Sequence, residues 1–377
     1  MIQFDFSKSG VSEEELETCE PLTALAHKKI EKERKEKLVG WWELPFDEKL
    51  PRSVLTQAEH FSKNFETLLV IGIGGSSQGA KMALHALTTP HLQQNIYFLE
   101  SPDPWSVESL LEHVDFSNAA VNVVSKSGNT IETLSILESL PQKLKTKDRM
   151  VVTTATGEGK LFQMAMQNGW VTLPMPRNVG GRFSVFSAAA LFQMAFAGID
   201  IFDFLKGARE ALQSQLPYKN GLIHHLLCEK HGKNISALLV YSEALSEFGG
   251  WYAQLLAESL GKGGKGQTPL VAQGPQVQHS LAQLFLDGPK DKVVTGLRIE
   301  NHLKDPLGDL LARECRATLE ALHEKKCPVI EIVLPQLSAN ALGELLMSYQ
   351  MQIAFTGHLM NINPYDQPAV ELIKKRI

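Results

Sequence analysis

Short apolar runs recur along the first half of the chain at intervals that leave room for a helix between each pair. Leu68 to Ile73, Ile96 to Leu99, Val121 to Val124 and Met150 to Thr154 are bounded by turn residues and separated by helical patterns. Continuous apolar runs mark strands covered on both faces, so this rhythm predicts a parallel sheet with helices on either side. A second series follows a helical stretch at Ser187 to Leu212, namely Ser236 to Tyr241, Lys292 to Ile299 and Pro328 to Val333. At 377 residues the chain exceeds the size at which a single core usually stops growing, roughly 250–300 residues. The reading is α/β throughout. A helical N-terminal segment is expected over 1–45, one α/β domain over 46–190, and a second over 191–377 with a C-terminal helical tail.

Charge and cysteine usage narrow the partners. A net charge of -5 argues against a nucleic-acid surface and favours a small-molecule ligand. Cys19, Cys228, Cys315 and Cys327 are widely separated and show no paired spacing for zinc or redox work, which fits reduced thiols in a cytoplasm. The acidic start, with Glu13-Glu14-Glu15, lacks the order of a signal peptide, and no apolar stretch reaches membrane-spanning length. Lys28 to Lys37 reads as a solvated helix, and Trp41-Trp42-Glu43-Leu44-Pro45 as a hinge into the core. A long last helix is expected to start at a Ser338 cap and to pack through a stripe of Leu342, Leu345, Leu346, Tyr349 and Ile353.

The densest chemistry follows the run Val121 to Val124. Ser125-Lys126-Ser127-Gly128-Asn129-Thr130 offers three hydroxyls and one ammonium at the start of a helical pattern, where backbone N–H groups lack internal partners. A phosphate would satisfy them all. The same Ser and Thr residues would also serve as an ordinary helix N-cap. After the first run, Gly72-Ile73-Gly74-Gly75-Ser76-Ser77-Gln78-Gly79 tempts a dinucleotide reading, but Ser77 stands where the third glycine belongs. These glycines are expected to let a ligand approach the backbone, with Ser76 at the same carboxyl edge of the sheet as Ser125 to Thr130. Gly261 through Thr268 mimics a P-loop, yet Gln267 stands where its lysine would be. Further on, Gln254 and Glu258 lie four residues apart on a helical pattern and so share one face.

Five motifs, in order and nearly chain-wide, resemble the glucose-6-phosphate isomerase family: Gly72 to Gly79, Ser125 to Thr133, Val179-Gly180-Gly181-Arg182-Phe183-Ser184-Val185, Gln254 to Gly261, and Asn363 to Lys374. The resemblance implies two sugar-isomerase domains, each an α/β/α sandwich with a mainly parallel sheet, and a homodimer. It implies an aldose–ketose isomerase that opens the sugar ring and moves a proton through a cis-enediol, with neither metal nor other cofactor. By the same resemblance Glu258 is the proton-shuttling base, and Arg182 stabilises the enediolate. His279 and Lys374 open the ring, with His279 contributed across the dimer interface. Gly75, Ser76, Ser125, Lys126, Ser127, Thr130, Gly181, Gln254 and Gln367 would contact the substrate. A carboxylate suits a proton that leaves a carbon beside a carbonyl and returns to its neighbour, and a fixed cation suits the negative charge that grows on the oxygens.

The chain departs from the family at Ala369 and Ile373, where glycine is common, at Asn129 in place of threonine, and at Leu260 in place of asparagine. Two other readings stay open at this level. One is a sugar-phosphate sensor whose chemistry has lapsed; the other is an isomerase for a different phosphosugar.

Overall fold

The structure, a computed structural model, describes residues 1–88, 95–300, 305–374 and 376. Among them ten strands follow in chain order: β1 (Gln3–Asp5), β2 (Thr67–Ile71), β3 (Asn95–Leu99), β4 (Ala119–Val124), β5 (Met150–Thr154), β6 (Val171–Pro174), β7 (Ile235–Tyr241), β8 (Thr268–Gln273), β9 (Lys292–Ile299) and β10 (Val329–Leu334). The chain divides into two compact units, one of residues 38–205 and the other of residues 1–37 with 206–377. The divisions read from sequence fall after 45 and 190.

In the unit of residues 38–205 the strand order is β3-β2-β4-β5-β6, and every pairing is parallel. Residues of β2, β4 and β5 are buried throughout, as expected of strands covered on both faces. Alternation sorts them: Leu69, Ile71, Val121, Val123 and Val152 share one apolar cluster with Leu134, Ile136, Leu137 and Leu161 from the helices Ile131–Ser139 and Gly159–Asn168. The opposite face carries Asn122, whose side-chain oxygen accepts a 2.6 Å hydrogen bond from Gln193 on the helix Ala188–Phe196. The helices Lys49–Asn64 and Gln78–Leu87 pack on that same helix. Three layers result. The helix after β2 and the helix after β4 therefore cover opposite faces, and the carboxyl ends of these two strands form the switch point where open α/β sheets bind ligands.

The other unit repeats this plan. Its order is β1-β10-β9-β7-β8, parallel except for β1, which lies antiparallel on β10 with Phe4 opposite Ile332. Ala237, Leu239 and Tyr241 of β7 face a cluster with Phe285, Cys315 and Leu319. On the other face Ser236 shares a 2.6 Å hydrogen bond with Tyr252 of the helix Phe248–Leu260. The helix Ala339–Leu359 begins at Ser338, whose hydroxyl accepts from the Ala341 N–H at 3.1 Å. Its burial is not a stripe: every residue from Ala341 to Leu359 is buried, because helices Glu20–Lys35, Leu216–Glu229 and Phe248–Leu260 all pack on it. Polar members of a fully surrounded helix need internal partners, and Gln352 accepts from Asn220 at 2.7 Å.

β1, β6 and β8 are not among the strands read from sequence. β8 is an edge strand that contains Pro269, tolerated there because an edge leaves one N–H without a ladder partner.

Candidate functional site

At the switch point of the first sheet, the hydroxyls of the turn after β4 do not cap the helix that follows it. Thr130 occupies the N-cap position of Ile131–Ser139, but its hydroxyl caps nothing in the helix. It shares a 2.8 Å hydrogen bond with the Ser125 hydroxyl instead, so neither group is spent on the first-turn N–H donors. Ser127 is exposed, and its oxygen accepts from the Asn129 N–H at 3.2 Å. Asn129 bonds elsewhere: its side-chain oxygen accepts from the Lys160 N–H at 3.0 Å, while the Leu161 N–H donates to the Gly128 carbonyl at 3.0 Å. The turn is thereby tied to the start of the helix Gly159–Asn168.

Lys126 is half-buried and donates to the Arg177 carbonyl at 3.4 Å. Burial, and then the nearby Arg182 charge, hold its pKa below the ordinary lysine value. Two cations brought this close raise each other's energy, and an anion would relieve both. Arg182 is 3% exposed and lies on the turn Gly181–Phe183, with its guanidinium carbon 5.6 Å from the Phe183 ring centroid. Phe183 rests on Trp41 at 5.1 Å, and Trp41 stacks on Trp42 at 3.7 Å. The tryptophan pair expected to be a hinge is thus a buried platform beneath the arginine turn.

The glycine turn after β2 also differs in purpose from the sequence reading. A Cβ on Gly75 would lie 2.2 Å from the carbonyl carbon of Gly181, so this glycine admits the arginine turn. Ser184 joins the same pair, donating to the Gly75 carbonyl at 3.0 Å and the Gly181 carbonyl at 2.7 Å. Ser76 stays half-buried at the turn's end, whereas the buried Ser77 donates to Glu100 at 2.6 Å. The structure therefore brings Gly75, Ser76, Gly181 and Arg182 together through two packed turns and sets Lys126 near Arg182.

In the second unit, Gln254 and Glu258 do share a helix face: the Gln254 amide donates to the Glu258 carboxylate at 3.0 Å. Gln254 is thus placed to orient that carboxylate. His279 ends the short helix Gly274–Gln278 after β8 and is exposed; this helix sits tightly on Tyr241, whose ring lies 2.3 Å from where a Gly274 Cβ would be. Gln367 is half-buried at the start of the turn Pro368–Val370. Lys374, in the exposed helix Glu371–Lys374, pairs with Glu371 at 2.8 Å. Lys375, the next member of the basic tail, lies outside the described residues. Among the described residues no group of three or more His, Cys, Asp or Glu side chains is placed to hold a metal ion, and no helix is long and apolar enough to cross a membrane.

The family model described as phosphoglucose isomerase matches residues 56–288 and 316–376. The chain belongs to the phosphoglucose isomerase family. Among its relatives, the glucose-6-phosphate isomerase of Methanocaldococcus jannaschii is 38% identical over 90% of this chain and 88% of the relative. That of Thermus thermophilus is 36% identical over 94% of this chain and 93% of the relative. The crystal structure of a hypothetical protein from Thermus thermophilus superposes with a TM-score of 0.90 at 33% identity, covering 99% of this chain and 98% of the other. A glucose-6-phosphate isomerase from Chlamydia trachomatis, at 21% identity, shares the fold with a TM-score of 0.84 over 99% of this chain and 87% of that one. Family membership accounts for the α/β architecture of both units.

Proposed function

We infer that the chain is an aldose–ketose isomerase. It interconverts glucose 6-phosphate and fructose 6-phosphate, a step of glycolysis and gluconeogenesis. The observation that carries the reading is the turn after β4, whose serine and threonine hydroxyls leave a helix N-terminus uncapped beside a half-buried lysine. A family of sugar-phosphate enzymes supplies the anion such a turn lacks.

In this reading Ser76, Ser125, Lys126, Ser127 and Thr130 hold the phosphate, with the Gly75 and Gly181 backbones shaping the pocket. His279 and Lys374 open the ring, one giving and one taking the proton that ring oxygen and hydroxyl exchange. Glu258, oriented by Gln254, then removes a proton from one of the first two sugar carbons and returns it to the other. The pair freed from the C–H bond forms the double bond between the two carbons while the carbonyl π pair moves onto its oxygen. Arg182 stabilises the resulting enediolate, and a hydroxyl proton passes from one oxygen to the other as the carbon is reprotonated. Gln367 contacts the sugar or its phosphate. Binding energy at the distant phosphate serves to position the reacting carbons. The exposure of His279 supports its sharing across a homodimer, and reduced cysteines support a cytoplasmic setting. The domain division near 45 and 190 belongs to the same reading.

Incubation with fructose 6-phosphate, coupled to a glucose-6-phosphate dehydrogenase and run with chelator, tests the function directly. Sustained turnover is expected. Tight binding with no turnover would replace the enzyme with a sensor.

A further inference from the structure

The glycine-rich stretch that mimics a P-loop has a different use in this fold. It directly follows the helix Phe248–Leu260 that bears Glu258, and Gly263, Gly264 and Gly266 all adopt left-handed backbone with φ of +59°, +74° and +100°. Gln267, in place of the P-loop lysine, is spent on structure, accepting from His224 across 3.0 Å and donating to the Lys233 carbonyl at 2.7 Å. The tight loop sends both of its lysines to one segment of chain. Lys265 donates to the Met360 carbonyl at 2.8 Å. Lys262, with its side chain only 13% exposed, donates to the Ser259 carbonyl at 3.1 Å and to the Asn363 carbonyl, and pairs with Asp366 at 3.1 Å. An ammonium has three N–H donors, and these three oxygens can take them all.

We propose that Lys262 is a positioning residue for ring opening: its ion pair with Asp366 clamps the C-terminal segment to the end of the Glu258 helix and so sets the place of Gln367 and Lys374. The proposal rests on the functional reading above, which gives those two residues their roles. Asp366 precedes Gln367 directly. Upstream, Asn363 braces it by donating to its carboxylate at 2.9 Å, and Tyr365 donates to Glu33 at 2.7 Å. Downstream, no described residue from Gln367 to the end is buried, so packing alone does little to hold the segment that carries Lys374. A charge-assisted contact at Asp366 is where that segment's path is fixed.

The test compares isomerisation, enzyme-catalysed exchange between the anomers of glucose 6-phosphate followed by magnetisation-transfer NMR, and calorimetric binding of fructose 6-phosphate. Misplacing a reacting group costs on the order of 100-fold, so Lys262→Met is expected to lower kcat and anomer exchange together by about that factor, with a much smaller rise in KM through Gln367 and binding stoichiometry unchanged. Lys262→Arg restores most of the loss, and Asp366→Asn combined with Lys262→Met is no worse than Lys262→Met alone. Glu258→Gln, by contrast, loses isomerisation and keeps anomer exchange. Wild-type kcat in Lys262→Met would overturn the clamp. So would a loss matched by falling binding stoichiometry, or anomer exchange that survives while isomerisation falls. A wild-type chain that neither isomerises nor exchanges anomers would overturn the functional reading and the clamp together.

Discussion

The turns after β2 and after β7 occupy the same place in their respective sheets. Each leaves a strand at the switch point, makes a 3₁₀ turn, Gly74–Ser76 in one and Glu243–Leu245 in the other, and enters a helix. Their chemistry is opposite. The first is glycine and serine, and its helix N-terminus faces no carboxylate of its own turn. The second carries Glu243 within its 3₁₀ turn and Glu247 at the N-cap position of the helix Phe248–Leu260, acidic residues where the first turn has glycine and serine. One scaffold thus carries two different turn chemistries at equivalent strand ends. In the functional reading proposed above, the glycine–serine turn serves the phosphate, and the reacting groups of the other helix lie further along its face, at Gln254 and Glu258.

Substitutions can break or sharpen this contrast. The largest effect is expected at the helix face: Glu258→Gln should cut turnover by about 10²–10⁴-fold in the coupled assay, the usual contribution of a general base. Arg182→Gln follows, with a kcat loss of about 10²–10³-fold, typical of a removed oxyanion partner, while the Trp41–Phe183 platform keeps its turn in place. Ser76→Glu gives the first turn the charge of the second. Like-charge repulsion should weaken fructose 6-phosphate binding by about 2 kcal/mol in a calorimetric titration, and unchanged affinity would dissolve the contrast. Gly75→Ala acts on the fold instead: its Cβ would lie 2.2 Å from the Gly181 carbonyl carbon, so the arginine turn has to shift, and the unit of residues 38–205 should lose on the order of 3 kcal/mol, seen as a lowered Tm.

What was legible in the sequence follows from how local the signal is. β5 and β9 begin and end at the expected residues, because their β-branched runs, Val151 to Thr154 and Val293 to Thr295, are read without reference to distant chain. β1 could not be read this way. It has three residues, and its partner β10 lies more than three hundred positions away, so the N-terminal segment joins a sheet that no nearby pattern announces. β6 has four residues and ends in Pro174, and β8 carries Pro269 after a glycine-dense loop; each violates the strand signature that the central strands obey.

The site divides similarly. Ser125 to Thr130 stood out because its donors are adjacent in sequence, although only the structure decides that Thr130 bonds Ser125 and not the helix. The Trp41–Phe183 platform joins residues more than a hundred positions apart, as does the pair Lys262 and Asp366. Adjacent aromatics were a visible signal without a visible partner. Lys374 is legible through its motif alone, and its place on the exposed helix Glu371–Lys374 gives no independent sign of a role.

The central proposal is that the Ser125–Thr130 turn binds the phosphate and that Glu258 carries the proton. Calorimetric titration of Glu258→Gln with fructose 6-phosphate, set beside its turnover, tests this most directly. The account predicts near wild-type affinity with turnover lost; affinity that falls away together with turnover, or turnover that persists, would contradict it.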